Sequence, residues 1–129
     1  PYRLEMGTSL SSRRGKNLYA FWGSRITDEI NALTEGHEDR TVINLASNEY
    51  IKAVQADQLA GRMVTPVFRE MKSGKAKTIG FVAKRSRGMM ARHIIQGRVE
   101  DPETLKEYTG GGYRFQPDLS DANSWVFVR

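Results

Sequence analysis

The sequence predicts a mixed α+β fold, with helices packed on a mixed sheet that includes a β-hairpin. Three observations carry this. Residues 17–33 repeat apolar side chains at steps of three and four, namely Leu18, Phe21, Trp22, Ile26, Ile30 and Leu33. Two β-rich runs, MVTPVFREM (63–71) and KTIGFVA (77–83), flank the Gly-containing loop KSGKA, as an antiparallel hairpin requires. Helical and extended segments alternate only in part, and one hairpin already excludes an all-parallel sheet.

Residues 1–15 read as irregular and close on the basic, turn-rich SLSSRRGK. The helix over 17–33 has Asn17 as its cap and Gly36 beyond its end. Core packing is the favoured role for Phe21 and Trp22, ahead of a stacking platform. TVINL (41–45) is β-branched and reads as a short buried strand. Ser47 or Asn48 then caps a short helix carrying Tyr50, Ile51 and Val54, and residues 57–59 form a further turn. Pro66 inside the first hairpin strand argues for an edge strand or a bulge. A helix is expected from about Ser86 to Gly97, with Met89, Met90, Ile94 and Ile95 facing the core. DPETLKEY (101–108) is a capped helical turn, with Asp101 as cap and Pro102 in the first turn. After the flexible GGG (110–112), YRF and WVFVR read as short, paired strands. The whole is expected to form one domain over 1–129.

The chain has 129 residues, 39% apolar and 27% charged, which is ordinary for a globular protein. No apolar run approaches the roughly 18 residues of a membrane span, so no membrane role is expected. With no cysteine, disulfides, thiolate metal sites and a cysteine nucleophile are excluded within this sequence. His37 lies in an acidic loop and His93 beside Ile94, so neither belongs to a metal-ligand spacing. No metal or other cofactor is expected. Phosphate loops of the GxxxxGK type, GxSxG elbows and paired-carboxylate signatures are also missing.

Charge is unevenly distributed. Residues 62–98 hold ten Lys or Arg against the single acid Glu70, while residues 1–61 net −1 and residues 99–129 net −3. A basic block of this kind points to an anionic partner. The competing explanation is a solvated face with lysines guarding a sheet edge. The densest stretch is AKRSRGMMAR (83–92), at the expected handover from strand to helix. There, free N–H groups of a helix start, reinforced by Lys84, Arg85, Arg87 and Arg92, would bind phosphate. Gly88 would let the ligand approach the backbone. Arg85, Gly88 and Arg92 share one stripe only if the helix begins early enough. Arg13, Arg14 and Lys16 form a second basic patch. Phe68, Phe81 and Tyr113 are the few aromatics near the block, so stacking on single strands is possible but not announced.

NLASNEY (44–50) places Asn44, Ser47, Glu49 and Tyr50 after a strand end, where α/β folds put ligand contacts. Glu49 is a candidate general base. Capping by Ser47 or Asn48, with Tyr50 packed, is the favoured alternative. Arg3, Glu5 and Thr8 flank a Gly turn in RLEMGT and are pocket candidates if that segment lines a cleft.

RLEMGT (3–8), LYAFWG (18–23), NLASNEY (44–50), AKRSRGMMAR (83–92), GYRF (112–115) and VFVR (126–129) occur in this order along nearly the whole chain. Together they resemble the C-terminal half of the YaaA family of bacterial peroxide-stress proteins. At Arg85-Ser86 the chain departs from the family's more frequent Lys-Ala, so Lys84, Arg87 and Gly88 carry the match there. The resemblance implies a cytosolic protein that protects against hydrogen peroxide, with limitation of reactive iron as the theme. It implies a mixed α/β fold, a positive cleft and binding of duplex or branched DNA. It also implies an N-terminal half, with a helix-hairpin-helix element, that this chain lacks. Two functional readings follow. One is sequence-independent DNA binding through the basic cleft. The other is an enzyme acting on a nucleotide or nucleic-acid base, its phosphate held near residues 84–92.

Overall fold

A computed structural model describes residues 5–129. It is a mixed α+β structure of two compact units, residues 5–40 with 46–61, and residues 41–45 with 62–129.

The first unit holds three short helices, α1 (Leu18–Trp22), α2 (Arg25–Thr34) and α3 (Asn48–Ile51). The expected single helix is in fact two. Gly23 adopts φ 52° and ψ −124°, a conformation that favours glycine and breaks the run. The break resets the helical phase, so Trp22 and Leu33 end up exposed rather than in an apolar seam. Phe21 is half-buried and meets Trp22 edge to face, with centroids 5.5 Å apart. The caps are as the sequence implies. Asn17 Oδ1 accepts the Ala20 N–H at 2.9 Å, and Ser47 accepts the Tyr50 N–H at 3.4 Å. Thr27 is the buried residue of α2, and its Oγ1 accepts the Gln55 N–H at 2.8 Å.

The second unit is built on a sheet of order β1-β2-β5-β4, with β3 paired to β2 beside this path. The strands are β1 (Val42–Ile43), β2 (Met63–Lys72), β3 (Lys75–Lys77), β4 (Arg114–Phe115) and β5 (Ser124–Val128). β2 runs parallel to β1 and β5, whereas β3 and β4 form antiparallel pairs with β2 and β5. The hairpin turns at Ser73 and Gly74, both with positive φ, as two-residue hairpin turns demand.

Pro66 lies in an interior strand, not at the sheet edge. The Val42 N–H donates to the Arg62 carbonyl and the Asn44 N–H to the Val64 carbonyl. The next rung would need an N–H at residue 66, which proline lacks. The β1 ladder therefore stops there, while residues 65–69 stay paired with β5 on the other side.

The core of this unit joins Val64, Phe68, Met90, Leu105, Tyr108, Tyr113, Trp125 and Phe127. Phe68 stacks on Phe127 at 5.4 Å and meets Tyr113 edge to face at 4.9 Å. Such aromatic pairs add about 0.5–1.5 kcal/mol each to the burial of their area. The DPETLKE segment forms a 3-10 turn over Pro102–Glu107, with Asp101 accepting the Glu103 N–H at 3.0 Å. No helix among the described residues is long and apolar enough to cross a membrane.

Candidate nucleic-acid interface

The long helix α4 spans Gly80–Gly97, so it begins six residues before the expected start at Ser86. The second hairpin strand correspondingly ends at Lys77. The stretch GFVA has β-type residues but continues a helical stripe. Ala83, Ser86 and Met90 are buried along one face, with half-buried Ile94 following. Met89 and Ile95, expected in the core, point away from that stripe and are exposed.

This overturns the helix-start argument for residues 84–88. Lys84, Arg85, Arg87 and Gly88 lie in the second and third turns, whose N–H groups are committed to the helix ladder. The crowding of cations at a positive helix end is thereby explained away. The first turn, Gly80 to Ala83, carries no charge, and the macrodipole fades within one turn.

The early start fulfils the condition for a shared stripe. Phe81, Arg85, Gly88, Arg92 and Ile95 recur at steps of four and three, inside an arc roughly 80° wide opposite the buried face. Arg85 and Arg92 are separated by about 10.5 Å along the axis. Lys84 borders the stripe and is exposed, while Arg87 is half-buried further round the same flank. A Cβ at Gly88 would meet nothing within 4 Å, so the middle of the stripe is open backbone. Gly88→Ala is therefore expected to stabilise the protein by about 1 kcal/mol, through helix propensity alone. A thermal melt checks this.

Among the described residues the ion pairs join Arg62 to Glu103, Lys106 to Glu103 and Arg129 to Glu70, and none reaches Lys84, Arg85, Arg87 or Arg92. Glu70, the single acid of the basic block, takes the Arg129 Nε at 2.8 Å and the Tyr113 hydroxyl. Ser86 Oγ lies 2.9 Å from the Tyr113 oxygen and 2.8 Å from the Val82 carbonyl. Arg129 also donates to the Gly111 carbonyl at 2.9 Å and lies 4.7 Å from the Tyr113 ring centre. The network ties α4 to β2 and to the loop before β4. Burial pushes the Glu70 carboxyl up, but the Tyr113 and Arg129 hydrogen bonds and the Arg129 and Lys72 charges outweigh it and hold it below its ordinary value. Burial, then the bond to Glu70, raises the Tyr113 hydroxyl, which stays protonated as the donor.

The remaining candidates divide between the two units. In the first, Arg13 and Lys16 are exposed, and Arg14 lies 6.0 Å from the Phe21 ring centre. Glu5 and Thr8 form an exposed turn, with the Thr8 N–H on the Glu5 carbonyl at 3.1 Å. Arg3 lies outside the described residues. Ser47 serves as the cap of α3, as the favoured alternative had it. Glu49 Oε1 accepts the Met6 N–H at 3.0 Å, and the Glu49 carbonyl accepts the Tyr19 hydroxyl at 2.6 Å. Tyr50 is 45% exposed. In the second unit, Asn44 is buried and its Nδ2 donates to Thr65 Oγ1 at 3.1 Å. These bonds give Ser47, Glu49 and Asn44 structural work.

Two features were not singled out by sequence reasoning. Lys72, Lys75 and Lys77 are exposed on the hairpin that leads into α4. Their signal was present in the basic block, but only the hairpin's register shows them together. A cavity of about 380 Å³ is lined by His93, Thr104, Glu107, Tyr108, Thr109 and Gly110. The Tyr108 ring lies 5.0 Å from that of His93, and a Cβ at Gly110 would fall 2.3 Å from the Tyr108 hydroxyl. No group of three or more metal-ligating side chains comes together among the described residues.

The family profile described as "Peroxide stress protein YaaA" matches residues 1–119. The chain belongs to the YaaA peroxide-stress family. The YaaA-family chain is 57% identical over 129 residues to a UPF0246 protein of Magnetococcus marinus, and that match covers 100% of this chain and 50% of the relative. UPF0246 proteins of Tolumonas auensis and Cellvibrio japonicus are 53% and 50% identical, again over 100% of this chain and 50% of each relative. The chain thus spans about half the length of the curated relatives it matches.

Proposed function

We propose that this chain serves peroxide-stress protection by binding DNA without regard to sequence, through the outward face of α4. The observation that carries this is the set of cations Lys84, Arg85 and Arg92, exposed on one side of a helix with no ion pair among the described residues. Uncompensated charges on one rigid element raise local potential, which favours a polyanion. The separation of Arg85 and Arg92 corresponds to about three base steps along a B-DNA axis. Lys72, Lys75 and Lys77 extend the same charge along the hairpin that precedes the helix. In this reading phosphate contacts supply the affinity, and such contacts carry no sequence information. The cytosol is the proposed place of action.

The test is fluorescence anisotropy of two labelled duplexes of unrelated sequence, titrated with the full-length protein that contains this chain. Similar affinity for both is expected, with a steep loss between about 50 and 200 mM salt. Affinity that does not respond to salt, or that tracks one sequence, would contradict the proposal.

A further inference from the structure

The outward face of α4 carries a group that phosphate binding does not use. Of the three aromatics that the sequence places near the basic block, Phe68 and Tyr113 are buried in the core. Phe81 is 79% exposed. It sits one turn before Arg85 on the same stripe and three residues before Lys84, just after the hairpin lysines Lys75 and Lys77. Nothing in the helix requires a phenyl ring at this position, where alanine would be the better helix former. A phenyl ring also gains nothing from a phosphate. It does gain from the flat face of an unpaired base, which is hidden in an intact duplex stack but open in single strands, bulges and branch points.

We propose that Phe81 is a stacking platform, and that the α4 surface takes DNA containing unpaired bases, with cations on the backbone and Phe81 on a base. The inference rests on the reading of α4 as a phosphate-binding surface and names the form of DNA that surface prefers. It also accounts for the order of residues along the stripe. Phe81 stands at the head of the stripe, followed by Arg85 and Arg92 on either side of the open backbone at Gly88.

The experiment compares wild type, Phe81→Ala and Phe81→Tyr in the full-length protein, with labelled oligothymidine and a matched duplex as probes. The alanine variant is expected to bind oligothymidine roughly fivefold or more weakly, with its salt slope intact and duplex binding little changed. Tyrosine should restore the affinity. An oligothymidine carrying 5-iodouracil should crosslink to Phe81 on irradiation, as mapped by mass spectrometry. If the alanine variant binds oligothymidine like wild type, or the crosslink falls elsewhere, stacking is wrong while phosphate binding stands. If Phe81→Ala markedly lowers the melting temperature, the ring is packed within the whole protein and the inference is likewise overturned. If wild type binds neither probe, the phosphate reading itself fails, and the stacking role with it.

Discussion

Joint replacement of Lys84, Arg85 and Arg92 by alanine is expected to remove most of the DNA affinity while leaving the fold intact. Each cation that contacts a phosphate contributes about 0.9 to the slope of log affinity against log salt, so three lost contacts should flatten that slope by about 2.7. At the lower salt concentrations the loss should exceed tenfold. Folding should be unaffected, because these side chains make no ion pair among the described residues and alanine is the best helix former. Arg87 is left in place because it is half-buried and its removal would disturb packing as well as charge. A matched replacement of Arg13, Arg14 and Lys16 separates the two basic patches. If only the α4 variant loses binding, the loop patch is a solvated face.

The second large effect concerns Tyr113. Its hydroxyl joins Ser86 on α4 to Glu70 on β2, and Arg129 closes the network from the other side. Tyr113→Phe keeps the ring in the core but removes the hydroxyl that bridges α4 and β2, leaving Ser86 with the Val82 carbonyl and Glu70 with Arg129. A hydrogen bond contributes about 0.5–1.5 kcal/mol net and up to about 3 when one partner is charged, as Glu70 is, so a loss of about 1–3 kcal/mol is expected in a urea titration. Ser86→Ala should cost less, since Glu70 retains both Tyr113 and Arg129. The network also has a pH signature. Glu70 is held below its ordinary value of 4.5, so the folded protein binds this proton less tightly than the unfolded chain does. Its contribution is present above pH 4.5 and is lost as pH falls through the lower folded value. Glu70→Gln should therefore flatten the acid limb of the stability profile relative to wild type.

What the sequence could reveal followed the range of the interactions involved. The Asp101-Pro102 turn and the Ser73-Gly74 hairpin were legible because their determinants are adjacent residues. The start of α4 was not legible. KTIGFVA has the β-branched and aromatic content of a strand, and Ser86 is a residue type that caps helices. In the folded protein Ser86 instead bonds the Val82 carbonyl one turn back and finds Tyr113 27 residues away. The partners of Glu70 lie 43 and 59 residues off, beyond any local pattern. Pro66 was read as the mark of an edge strand or a bulge. It marks the point where β2 loses β1 as a neighbour, a distinction that only the register of β1 on β2 supplies. Arg85, Gly88 and Arg92 were named from the sequence as a conditional stripe, and the early start of α4 meets that condition. Phe81 could not be told from Phe68 by sequence, because burial decides between core and surface.

The claim that the outward face of α4 meets DNA is tested most directly by protection of its arginines. Phenylglyoxal modification of the full-length protein, read by mass spectrometry with and without saturating DNA, reports each guanidinium separately. Arg85 and Arg92 should react readily in the free protein and become protected together when DNA is bound. If both stay equally reactive in the complex, DNA is held elsewhere in the protein and the role assigned to α4 is wrong.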